Sequence, residues 1–179
     1  MKEYTQNTTN TYFYLFFTAS LAGFLWEVLL FFVLDGRFVN RGFFYGPWLP
    51  VYGSGAVLIY ACLHHKKSHP LYCFFASAAI GASVELFTGW LLDTVFHLRY
   101  WDYHGQFLHV GGYICLFSVL GFGLAGTFYI CLAAPFLLRF WNRLLPALRG
   151  YLIGLFLILL ALDAAASLIL PNRGQGITF

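Results

Sequence analysis

Three carboxylates stand inside strongly apolar stretches, Glu27, Glu85 and Asp163, and Asp93 sits at the edge of one. A charged side chain at the centre of a bilayer costs about 2.5–3.5 kcal/mol on insertion scales, so each needs a partner or a purpose. Between the first two lies the stretch 36–55, GRFVNRGFFYGPWLPVYGSG, in which Arg37 and Arg41 are set among aromatics, five glycines and two prolines. Guanidinium and carboxylate groups form charge-assisted hydrogen bonds. A set of acids capped by arginines is chemistry for holding a small polar or charged solute. In a partly dry pocket the same acids could instead serve as general acid or base on a lipid-linked substrate, with the arginines on its phosphate.

The elements that must position these groups are membrane helices. Of 179 residues, 60% are hydrophobic and 9% charged, against about 25% charged in soluble domains. A net charge of +3 is too small to argue for nucleic acid and fits cations placed for topology. Apolar runs cover 12–34, 48–63, 71–92, 113–138 and 151–170. The expected fold is therefore an all-α polytopic bundle of about five transmembrane helices in a single domain, with an irregular outer loop after the first helix. The run 48–63 is short and opens on Pro50 and two glycines, so an irregular or re-entrant start is expected there. The first run lacks a small-residue cleavage site and is expected to be retained.

Lys66 and Lys67 fall in one turn, and Arg139, Arg143 and Arg149 in another that this count places on the same side. The positive-inside rule makes that side and the N-terminus cytoplasmic, and puts the C-terminus outside. Arg37, Arg41 and Arg99 then lie on the disfavoured side. Glu27, Glu85 and Asp163 fall at similar depth, on the order of 10 Å below the outer helix ends. Glu27 shares a helix face with Ala19 and Gly23, and Glu85 with Ala78, Ala82 and Gly89. Small residues let helices approach closely, so these acids are expected to point into the bundle.

Other features bear less weight. Cys62, Cys73, Cys115 and Cys131 form no C-x-x-C pair and read as reduced, structural thiols. His97, His104 and His109 match no tight metal-ligand spacing, and no ATPase, hydrolase or dinucleotide motif occurs. The triplet Trp101-Asp102-Tyr103 reads as an interfacial anchor, or Asp102 as the partner of an outer arginine.

Trp26-Glu27, GRFVNRGFFYGPWLPVYGSGAV over 36–57, Glu85 with Thr88-Gly89-Trp90, Trp101-Asp102-Tyr103 and Gly112-x-Ile114-Cys115-Leu116 resemble the ABC-transporter type IV (CmpB-type) family of small bacterial membrane proteins. The resemblance covers roughly 13–135. It implies a bacterial inner-membrane protein with a permease role, and it singles out Glu27, Arg37, Asn40, Arg41, Glu85 and Asp102. Asp93 stands where the family pattern leads one to expect Glu, and Gly111-Gly112-Tyr113 where an Asn-Gly-Arg-like turn is expected.

The expected site is an outward-facing cluster for a polar or charged solute, built from Glu27, Arg37, Asn40, Arg41, Tyr45, Glu85, Trp101 and Asp102, with no cofactor and no metal. Its expected partners are membrane lipids and a separate ATPase, another membrane subunit or a second copy of the chain. The alternatives are the lipid-directed enzyme above, and a structural or regulatory subunit in which the Arg–Glu pairs only fasten the loop.

Overall fold

A computed structural model describes residues 8–172. Five helices make up the bundle: α1 (Thr8–Asp35), α2 (Pro50–Leu63), α3 (Pro70–Phe96), α4 (Leu116–Arg143) and α5 (Pro146–Ile169). Among the described residues there is no strand, only an isolated bridge between Val110 and Ile114. Prolines at the first turns of α2, α3 and α5 begin those helices where a missing N–H costs nothing. α4 is interrupted by one π-helical turn, Tyr129–Ala133.

Helices α1, α3, α4 and α5 are long and apolar enough to cross a membrane, as expected of a polytopic helical membrane protein. With 14 residues, α2 rises only about 21 Å, against a hydrocarbon core of about 30 Å. The missing depth is supplied by irregular chain. Leu49 donates its N–H to the Ser20 carbonyl at 3.1 Å, and Ser20 lies fifteen residues before the end of α1. The stretch after α1 therefore descends about 22 Å along that helix before α2 begins. It is not only an outer loop: it re-enters the bundle and runs on into α2, which completes the crossing. Gly36, in the left-handed region at φ +68°, turns the chain out of α1, and its N–H closes on Phe32 at 3.0 Å.

The basic turns differ in detail from the sequence reading. Lys66 and Lys67 lie in a short turn between α2 and α3. Arg139, Arg143 and Arg149 are not in one turn: they belong to the ends of α4 and α5, which Leu144 and Leu145 alone connect. Proline at the first turn of α5 lets the helix begin five residues earlier than its apolar run suggests.

Packing follows small residues. α2 lies in a groove of α1 where Gly53 abuts the Ser20 hydroxyl and the Phe16 carbonyl, and where Gly23 faces the Tyr52 ring. α3 meets α4 through Gly81 against Phe122 and Gly123 against Phe74. Ile59, Leu63, Cys73 and Ile130 form the apolar centre between α2, α3 and α4. Leu25, Phe75, Phe87 and Phe136 point outward and exposed, as a lipid-facing surface requires. A Cβ at Gly53 would lie 2.7 Å from the Phe16 carbonyl oxygen, which belongs to backbone and cannot give way. Gly53→Ala is therefore expected to cost about 1–3 kcal/mol through overpacking. Gly55→Ala meets open space and is expected to be neutral or slightly stabilising. Thermal unfolding in detergent would check both, and equal melting temperatures for the two variants would refute this packing.

Candidate functional site

The re-entrant stretch brings one arginine to an acid of α1, near a second acid on α3. From α1, Glu27 accepts a hydrogen bond from the Tyr52 hydroxyl of α2 at 2.6 Å. Its other oxygen faces Arg41 Nη1 at 3.7 Å. Arg41 donates through Nη2 to the Tyr100 carbonyl and lies over the Phe31 ring at 4.0 Å. From α3, Glu85 accepts from the Tyr103 hydroxyl at 3.1 Å. Glu85 and Glu27 are within electrostatic reach of each other.

Two charges in this cluster are incompletely answered. Glu85 is 8% exposed, and its Oε2 has no hydrogen-bond partner. Ser118 of α4 stands nearby, but its hydroxyl donates to the Cys115 carbonyl at 3.0 Å, closing the first turn of α4. Arg41 Nε is also buried without an acceptor. Arg41 engages Glu27, while Glu85 is held by the Tyr103 hydroxyl. A buried carboxylate oxygen without a donor is costly.

Asp163 takes a different part from the one its depth suggested. It is a clamp on the re-entrant stretch, accepting from the Tyr45 N–H at 3.0 Å, the Gly46 N–H at 2.8 Å, Trp48 Nε1 at 2.7 Å and Ser167 Oγ at 3.2 Å. Just above, the Tyr45 hydroxyl donates to the Leu170 carbonyl at 2.9 Å, and Asn172 Nδ2 donates to the Gly42 and Phe44 carbonyls. Asn40 folds the turn from within, donating to the Phe44 and Tyr45 carbonyls at 3.1 Å each and accepting from the Gly42 N–H at 3.0 Å.

A second polar network occupies the connection between α3 and α4. Arg99 pairs with Asp93 at 3.3 Å and Asp102 at 3.6 Å, donates to the Gly111 carbonyl at 2.9 Å and stacks over Tyr113. The Tyr113 hydroxyl donates to Asp93 at 2.7 Å, and this bond raises the phenol above its ordinary range. Burial alone would raise Asp102, but the backbone and ring of His104, with Arg99, hold its carboxyl below the usual range. Trp101 Nε1 donates to the Tyr113 carbonyl at 2.8 Å.

Of the residues expected to form one site, Glu27 and Arg41 meet, and Glu85 lies within electrostatic reach of Glu27. Asn40 and Tyr45 shape and fasten the stretch that carries Arg41. Trp101 and Asp102 belong to the neighbouring network. Arg37 is exposed and does not join the acids, because it directly follows the turn at Gly36 and the chain descends only after it. Sequence reasoning missed Tyr52 and assigned Tyr103 to the interface, whereas burial and Glu85 push the Tyr103 phenol above its ordinary range. The one available signal for Tyr52 was Gly23, a small residue one turn from Glu27, which makes room for its ring.

No curated protein and no solved structure is significantly similar to this chain. One family model matches, over residues 14–168, and so reaches past the loop motifs to take in Asp163 and most of α5. With the match covering all five helices, the chain belongs to the family described as Putative ABC-transporter type IV.

Proposed function

We propose that the chain is a membrane-spanning component of an ABC-type transport system and that the Glu27–Arg41–Glu85 cluster is its solute site. The solute is small and cationic, or presents a cationic N–H donor to Glu85. The observation that carries this reading is the unpartnered Oε2 of buried Glu85, beside a second carboxylate, Glu27, that already engages Arg41. Tyr52 and Tyr103 hold the two acids in place, and Arg41 spans Glu27 and the Tyr100 carbonyl, so the site is assembled from α1, α2, α3 and both connections. The basic ends of α2, α4 and α5 face the cytoplasm of a bacterial cell, by the positive-inside rule. The chain carries no nucleotide-binding motif, so a separate ATPase subunit supplies the energy.

Two experiments test this. Thermal unfolding in detergent is measured with methylammonium, potassium, arginine and spermidine as probes, since a ligand that binds the folded state raises its melting temperature. At least one cationic probe is expected to stabilise the wild type. Glu85→Gln is expected to weaken its apparent affinity about 10–100-fold, the worth of a charge-assisted hydrogen bond of about 1.5–3 kcal/mol. Equal responses of wild type and Glu85→Gln to every probe would remove the site. Affinity purification from native membranes tests the subunit reading, which fails if no ATPase accompanies the chain.

A further inference from the structure

Outside the acidic cluster, two thiols converge on the turn between α2 and α3 at the opposite end of the bundle. Cys73 is in the first turn of α3 and fully buried, at 0% exposure. Cys131 is in the π-helical turn of α4, half-buried, and packs against the apolar centre that contains Cys73. Their sulfurs hold consecutive carbonyls of one turn: Cys73 Sγ donates to the Lys66 carbonyl and Cys131 Sγ to the Lys67 carbonyl, each at 3.3 Å. Carbonyl oxygens of consecutive residues in a tight turn are only a few ångströms apart, so the sulfurs they hold are near neighbours. The two thiols are also within electrostatic reach of each other. Lys66 and Lys67 are exposed, which puts the pair beside the aqueous boundary rather than in the middle of the membrane. Single π-helical turns inside α-helices are frequent at functional positions.

We propose that Cys73 and Cys131 are a redox-modifiable pair, closed to an intramolecular disulfide by hydroperoxides. Cys131 is the more accessible thiol and reacts first. Its thiolate, after releasing a proton to solvent, attacks the peroxide oxygen; the O–O bond breaks, the alcohol or water departs, and Cys131 becomes a sulfenic acid. The Cys73 sulfur then attacks the Cys131 sulfur, the S–O bond breaks, and the leaving hydroxide takes the Cys73 proton as water. Two thiols are oxidised and one hydroperoxide is reduced. Thiol–disulfide exchange with a reducing dithiol reverses the link. The bond would join the start of α3 to α4 across the Lys66–Lys67 turn and fix the packing between them.

The test uses the full chain in detergent, treated with hydrogen peroxide, alkylated without reduction and digested with chymotrypsin, which separates Cys131 from Cys115. The expected result is a linked peptide pair containing Cys73 and Cys131, lost on dithiothreitol treatment, while Cys62 and Cys115 remain alkylated. Cys62→Ser should leave the link intact, and Cys131→Ser should leave Cys73 alkylatable after peroxide. If peroxide instead yields Cys62-linked dimers or over-oxidised Cys131 while Cys73 alkylates freely, the pair is not a redox unit. The wild-type digest decides the matter even if a variant fails to fold.

Discussion

Asp163→Ala is expected to detach the re-entrant stretch from the bundle and to cost about 3–5 kcal/mol. The substitution removes the acceptor for the Tyr45 and Gly46 N–H groups and the Trp48 indole together. Each buried donor left unsatisfied costs about 1–3 kcal/mol. Tyr45 is exposed, so its bond is the least sheltered, and the loss falls mainly on Gly46 and Trp48. Asp163→Asn keeps one acceptor oxygen and should lose roughly half as much. Two measurements check this: the melting temperature in detergent, and proteolytic cleavage between residues 36 and 49, which should accelerate in the alanine variant. An alanine variant that melts with the wild type and is cleaved no faster would show that other contacts hold the stretch.

Arg41→Ala is expected to destabilise by about 3 kcal/mol, at the lower end of the range for breaking a buried charge pair. The arginine side chain is 11% exposed and Glu27 is 21% exposed, so the orphaned carboxylate retains some solvent and its bond to Tyr52. Loss of the donor to the Tyr100 carbonyl adds to the cost. The double variant Arg41→Ala, Glu27→Gln should recover at least about 1 kcal/mol of this, because neither charge is then buried alone. If the double variant is less stable than Arg41→Ala, the 3.7 Å pair is not what holds Arg41. The outcome also bears on function: a folded double variant that still responds to the cationic probes would place recognition on Glu85 without Glu27.

These two residues also show what could be read from the sequence. The helices were legible because membrane runs announce themselves by length and composition, and their turns by proline and lysine. Glu27 and Glu85 were legible because each shares a helical face with glycine or alanine, and small residues at that period mark a contact face. The depth of the chain between 36 and 49 was not legible. Irregular backbone has no period, and its course is fixed by partners far along the chain, such as Ser20, Asp163 and Asn172. Arg37 and Arg41 look equivalent as two arginines in one loop, yet only Arg41 reaches an acid. Asp163 sits at the depth expected of a third member of the cluster, but it serves backbone amides and an indole instead. Tyr103 reads as an interfacial aromatic, and only the path of the connection after α3 turns its hydroxyl onto Glu85.

The half-length of α2 has a consequence for how the chain is made. A 14-residue helix preceded by arginines and glycines is too short to be handed to the bilayer as an independent span. It must enter as the second arm of a hairpin already anchored by α1. The stretch joining the arms acquires its clamp only from Asp163, 115–118 residues further along. At a synthesis rate of about 5–20 residues per second, it waits roughly 6–24 s for that partner. Until α5 arrives, the Tyr45 and Gly46 amides and the Trp48 indole must be kept by water, lipid headgroups or an insertion factor. Arrival of the last helix is thus the step that seals the nascent bundle, and chains truncated before Asp163 should be recognised as unfinished.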